Sequence, residues 1–254
     1  MIEENNRKTG WYTIIAYLLV FYVIAGFVQI GIMLAMQAMS LDMTSINVQT
    51  IASSIMNFAT YILLFGVLIA IQGKNILIEF KTFKEKPNKA VTLLGGFAIF
   101  YIINIVFNNL VLQAEENINM GYRLFGISNY INTTSDNQVV IEQMMDGAGA
   151  IPMFLSAVVL GPICEELVFR KAFFSVIKKP EIALVVSSLF FASIHVISSI
   201  GMYSPFELFL MTIPYLASGI ALGYVYIRYE NNIWVPIFVH TLSNLISMLA
   251  IMSI

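Results

Sequence analysis

Seven stretches of about twenty predominantly apolar residues run through this chain, and that length is what a helix needs to cross a bilayer's hydrocarbon core. They lie roughly at 11–39, 48–72, 91–112, 150–177, 181–200, 206–228 and 232–253. Backbone N–H and C=O groups in lipid must be satisfied inside their own segment, so such a chain is driven toward an all-α, polytopic transmembrane bundle. Composition agrees. The chain is 59% apolar and 11% charged, with a mean hydropathy of +0.82. A soluble domain carries about a quarter charged residues. The first run exceeds the apolar core of a signal peptide and is followed by no A-x-A cleavage site, so it is read as a retained anchor. Gly161-Pro162 is where the fourth run can break, which leaves room for an eighth, re-entrant or split segment. With no repeat or second domain in view, residues 1–149 are expected to supply N-terminal spans and an external loop, and residues 150–254 a C-terminal helical core.

Charge placement orients the bundle. Twelve of the thirteen lysines and arginines fall on one side if seven spans alternate. Arg7 and Lys8 precede the first span, Lys74 to Lys89 fill the second connection, and Arg170 to Lys179 end the fourth span; Arg228 ends the sixth. Arg123 alone lies opposite. Basic residues stay on the cytoplasmic side, so the N-terminus is expected inside and the C-terminus outside, in a bacterial plasma membrane. The connection 113–149 is then external, polar around Asn129–Gln138, with a short helix expected near "QVVIEQMM". The net charge of −2 gives no basic surface for nucleic acid. The single cysteine, Cys164, excludes an internal disulfide and paired-cysteine metal knuckles, and is expected to be a small buried residue.

Against this apolar background a few ionisable groups stand out, because such groups are costly at membrane depth and are paired or functional when present. The fourth span carries Glu165-Glu166 and Arg170. Glu166 and Arg170 are four residues apart with the glutamate first, the favourable order for a helical ion pair, so a purely structural pair explains them well. Glu165 points about 100° away round the helix and is left without a local partner. A carboxylate of that kind suits a general base. Both histidines of the chain fall inside spans, His195 on the fifth and His240 on the seventh, which favours function over packing. Asn244 follows His240 by four residues and shares its face, so that this Asn, with the His one turn away, can donate two hydrogen bonds to one point. At about 1.5 Å per residue, Glu165, His195, His240 and Asn244 reach one layer inside the bundle.

Glu-Glu-x-x-x-Arg (165–170), Phe-x-x-x-His (191–195) and His-x-x-x-Asn (240–244), in this order on successive helices, resemble the CPBP intramembrane proteases. That family includes the type II CAAX prenyl endopeptidases (Ras-converting enzyme) and bacteriocin-processing or immunity proteins, also called Abi. The resemblance covers about 150 to 250; residues 1–149 match only as membrane spans. It implies that Glu165, with His195, activates a water to attack a peptide carbonyl in a peptide or membrane-protein substrate. His240 and Asn244 would then stabilise the oxyanion. Glu166 and Arg170 would hold the span, and Phe191 would pack beside His195.

The family has also been described as metalloproteases, and Glu165, His195 and His240 offer a zinc set with one open position. The metal-free mechanism is preferred, since asparagine is a poor zinc ligand and no carboxylate stands out as outer partner for both histidines. The sequence has no HExxH, no GxSG around Ser218-Gly219, and no Gly-x-Gly before Asp146-Gly147, which argues against zincin, rhomboid-like and presenilin-like sites. Cleavage is expected near the cytoplasmic half of the membrane. The alternatives are a non-enzymatic bacteriocin-immunity or partner-binding membrane protein, or a transporter using the buried Glu and His groups.

Overall fold

The computed structural model describes residues 2–42, 44–127, 130–145 and 147–253. Among them are seven helices long and apolar enough to cross a membrane: Asn6–Ala38, Ile46–Glu85, Lys89–Leu124, Gly147–Val176, Pro180–Ser199, Pro205–Arg228 and Trp234–Met252. These are the first to seventh spans. A short helix, Asp136–Met144, sits in the connection before the fourth, where one was expected. The described residues hold no strand.

Helix and membrane end at different places. The second span runs for 40 residues, about 60 Å, roughly twice a hydrocarbon core. Lys74, Lys81 and Lys84 therefore ride on a helical extension and not in a loop, which corrects the sequence reading. No proline interrupts the helix until Pro87, and a charged helix is stable in water beyond the lipid. The third span likewise carries Glu115, Glu116 and Arg123 on its far end.

The fourth span does not break at Gly161-Pro162. It is helical from Gly147 to Val176, with π-helical turns at Ser156–Leu160 and Leu167–Ala172. At the first, the Gly161 N–H bonds to the Ser156 carbonyl five residues back. Loosening one turn there makes room for Pro162, which has no N–H of its own. The two wide turns bracket Glu165 and Glu166, and such bulges recur at functional positions.

The fifth and sixth spans pack closely because the sixth carries Gly219 and Gly223 one turn apart. A Cβ on Gly219 would come within 3.0 Å of the Ser188 backbone, and one on Gly223 within 2.4 Å of Leu184. Small residues four apart let helix backbones approach where lipid offers no hydrophobic drive. The fourth span packs on three neighbours, with Cys164, Leu167, Phe169 and Ala172 fully buried against the first, second and fifth. The second and third spans, joined by three residues, pack on different neighbours: the second on the first and fourth, the third on the sixth and seventh. A wide cavity lies between them.

Candidate active site

The fourth span presents its two glutamates to different surroundings. Glu166 is fully buried and its Oε2 lies 3.1 Å from Arg170 Nε, the i, i+4 pair expected from sequence. Arg170 also donates from Nη2 to the Gly219 carbonyl at 3.1 Å, and its guanidinium lies 5.0 Å from the centre of the Phe191 ring. The other oxygen of Glu166 accepts from His240 Nδ1 at 2.8 Å. Glu166 thus links the fourth, sixth and seventh spans through its two partners.

Glu165 makes no ion pair with Arg170, in keeping with its position round the helix. It does have a partner, however. The Tyr61 hydroxyl, from the second span, donates to Glu165 Oε1 at 2.9 Å. The expectation was that Glu165 has no local partner, and this one comes from 104 residues away. Gly161 lies one turn earlier, and a Cβ there would make only ordinary contact with the Tyr61 ring at 3.6 Å and Glu165 Oε1 at 3.7 Å; its close approach, 2.9 Å, is to the Ser156 carbonyl of its own helix. Glu165 Oε2 is 3.9 Å from His240 Nε2, beyond direct hydrogen bonding and within reach of a bridging water.

His195 bonds through Nδ1 to the Phe191 carbonyl at 2.7 Å, so Nδ1 carries the proton and Nε2 of the neutral ring is an acceptor. Its ring lies between Phe191, at 4.6 Å, and Tyr215, stacked on it at 4.6 Å. Phe191 thus touches His195 as expected, and also sits 6.0 Å from His240. His240 presents Nε2 to the cavity, where it donates only when the ring holds both protons. Asn244 donates from Nδ2 to the Ala157 carbonyl at 2.8 Å. One N–H of its amide is therefore committed to the fourth span, and one remains.

Glu165, His195, His240 and Asn244 all line one cavity of about 740 Å³, with Tyr61 and Tyr215 beside them. The cavity runs from this layer toward the end of the bundle that carries Thr133–Gln138 and Ile251, away from the basic end. Ser218 also faces it, and its hydroxyl donates to Asn104 Oδ1 at 2.6 Å instead of pairing with a histidine. Asp146, weighed above, lies outside the described residues.

The reason given against an outer-sphere arrangement does not hold for His240, since Glu166 is such a carboxylate, and His195 has a backbone carbonyl in the same position. The donor set is the limiting feature instead. Among the described residues no three of His, Cys, Asp and Glu stand close enough together to hold one metal ion. Glu165, His195 and His240 share the cavity without closing on a common point as metal ligands would, and no step below is routed through a metal.

Sequence reasoning missed Tyr61 and Tyr215. Tyr61 follows Asn57 by four residues in an otherwise apolar run, so a polar pair on one helix face was there to be read. Tyr215 follows Pro214 inside the sixth span and gives no comparable signal.

A buried carboxylate and two histidines that line one cavity of mixed polar and apolar wall, within a seven-span helical bundle, define a class of membrane proteins built around an intramembrane polar site. Residues 147–246 match the family model described as type II CAAX prenyl endopeptidase Rce1-like, and this stretch holds the three motifs. The chain is similar to an uncharacterized protein of Mycoplasma capricolum, 24% identical over 175 residues, 68% of this chain and 47% of that protein. It is also similar to a Bacillus subtilis protein named "Putative membrane peptidase YdiL", 27% identical over 164 residues, 63% of this chain and 57% of that one. The matched part thus spans about half the length of these curated relatives. No solved structure matches the chain.

Proposed function

We propose that this chain is an intramembrane endopeptidase that hydrolyses a peptide bond with water activated by Glu165. One observation carries the reading: Glu165 and Glu166 are adjacent, yet only Glu166 is neutralised by Arg170, while Glu165 faces both histidines across a cavity. In this scheme Glu165 takes a proton from a water as its oxygen bonds to the scissile carbonyl carbon. His195 Nε2, an acceptor, orients that water. The remaining Asn244 N–H, and His240 when its ring is doubly protonated, stabilise the oxyanion. The carbon–nitrogen bond then breaks, and Glu165 returns its proton to the leaving amine. The second hydrogen of the water leaves with the new carboxyl group. Tyr61 keeps Glu165 aimed; Glu166 and Arg170 keep the helix and His240 in place.

A peptide or membrane-associated protein is the substrate in this reading, with a prenylated CAAX protein, a pheromone precursor and a bacteriocin leader as chemically distinct cases. The test is cleavage of a panel of such peptides by purified protein in detergent, before and after exhaustive chelation. Glu165→Gln should lower turnover by about 10²-fold or more, because the amide cannot take the proton. Turnover that survives chelation supports the glutamate scheme. Loss of activity that zinc restores would overturn it in favour of the metal reading, and undiminished cleavage by Glu165→Gln would remove the base altogether.

A further inference from the structure

A second, smaller cleft lies away from the catalytic layer, at the end of the bundle where basic residues gather. That end is where the fourth span finishes and the seventh begins, around Lys86, Lys171 and Arg228. The cleft has a volume of about 450 Å³ and is lined from the first, second, fourth and sixth spans. It shares no lining residue with the large cavity.

Its charges do not cancel. Lys171 and Lys178 line it, and Glu79 is the only carboxylate among the described residues that do. Both oxygens of Glu79 are already taken, Oε1 by Lys171 and Oε2 by the Ile233 N–H at 2.9 Å. An ammonium has three N–H donors, so Lys171 keeps two beyond that pair. Lys178 is exposed and has no ion-pair or hydrogen-bond partner among the described residues. Tyr226 adds an independent sign of a ligand. It is only 5% exposed and lines the cleft, its ring edge-on to Phe174 at 5.2 Å. Its hydroxyl has no hydrogen-bond partner among the described residues, although buried tyrosines as a rule find one. An acceptor from outside the chain would complete it.

Depth and the remaining wall say what carries that acceptor. The apolar run of the second span ends near residue 72, and Gln72 to Glu79 cover about 10 Å beyond it. This is the depth of lipid headgroups. Ile78, Phe174 and Ile177 line the cleft beside the polar groups, and Ile78 is 62% exposed, so the cleft reaches the outside of the bundle along the second span.

We propose that this cleft holds the phosphate-bearing headgroup of an anionic phospholipid. The phosphate accepts from Lys171, Lys178 and the Tyr226 hydroxyl, and the acyl chains leave past Ile78 onto the outer surface of the bundle. Basic clefts between spans suit such headgroups. A free phosphate would use the same donors and leave the apolar wall without a partner. A choline headgroup would bring a cation to a cleft whose one carboxylate is committed. None of this rests on the endopeptidase reading.

The test is thermal unfolding of the purified chain in neutral detergent, titrated with phosphatidylglycerol, phosphatidylcholine or inorganic phosphate. A ligand that binds the folded state raises the melting temperature as its concentration rises. Phosphatidylglycerol should do so at concentrations where the other two do not. Lys178→Gln should raise the lipid concentration needed by about fivefold, the effect of one lysine near an anionic surface. Tyr226→Phe keeps the ring against Phe174 and should raise it by about tenfold, as loss of a hydrogen bond to a charged group does. Lys179→Gln removes the same charge one residue away, outside the cleft, and should leave the response unchanged. Each variant is compared with its own lipid-free melting temperature, so a loss of stability alone does not mimic the result. No rise with phosphatidylglycerol would overturn the proposal. An equal rise with phosphatidylcholine, or equal weakening by Lys179→Gln and Lys178→Gln, would overturn it in favour of general lipid contact. A rise with inorganic phosphate as large as with phosphatidylglycerol would overturn the lipid source and point to a soluble phosphate compound.

Discussion

At the basic end of the bundle, Glu79 accepts from Lys171, from the Ile233 N–H and through its own carbonyl from Asn232 Nδ2 at 3.0 Å. Every polar group named there ties one span to another and none faces the large cavity. Half a membrane away, Glu165 has one tyrosine hydroxyl and otherwise faces open space. Glu166 belongs with the first kind although it is the neighbour of Glu165 in sequence, since its oxygens go to Arg170 and His240. The difference teaches how to sort buried charge in a membrane bundle. A carboxylate whose two oxygens are both held by paired groups contributes to architecture, whereas one left facing a cavity is available for chemistry.

The sharpest way to break this sorting is to remove one oxygen's charge from each kind of site and compare. Glu166→Gln leaves Arg170 buried without its counter-charge, and breaking such a pair costs about 3–5 kcal/mol. Its melting temperature in detergent should fall well below that of the unmodified chain, and Arg170→Gln should show a similar loss. Glu165→Gln should melt like the unmodified chain while failing to turn over. Equal melting temperatures for Glu166→Gln and Glu165→Gln would mean that the two carboxylates had been sorted wrongly. Glu79→Gln tests the same idea at the basic end with a smaller effect. It keeps an acceptor for the Ile233 N–H, and both members of the Lys171 pair are partly exposed, so about 1–2 kcal/mol is expected. Turnover per folded molecule should not change, because nothing at that end reaches the cavity.

Much of the architecture was written in local patterns. Apolar runs of bilayer length gave the seven spans, and four-residue spacing gave the Glu166–Arg170 pair and the shared face of His240 and Asn244. What escaped was of two kinds. Hydropathy marks where lipid ends and not where a helix ends, so the extension bearing Lys74 to Lys84 looked like loop. The other kind is contact between distant spans. Tyr61 and Glu165 are 104 residues apart, Glu166 and His240 are 74, and no periodicity links them. The direction of the cavity is of this second kind too, because it depends on the second and third spans choosing different neighbours.

The smallest expected effect bears on the contact that reaches Glu165 from residues 1–149. Tyr61→Phe removes the hydroxyl that donates to Glu165 and keeps the ring, which packs edge-on against Phe21 at 5.2 Å. The melting temperature should therefore fall by no more than the loss of one hydrogen bond allows. A hydrogen bond to a charged group is worth about 1.5–3 kcal/mol. If part of that holds Glu165 in its reacting position, kcat should drop by about tenfold, equivalent to about 1.4 kcal/mol. A merely structural tyrosine would lower kcat to the same degree whether or not Glu165 is present. A positioning one acts only through that carboxylate, so Tyr61→Phe should add little to the residual rate of Glu165→Gln, and the double-mutant cycle should show coupling. Additive losses in that cycle, or an unchanged kcat for Tyr61→Phe, would return Tyr61 to the packing of the second span and leave Glu165 oriented by the fourth span alone.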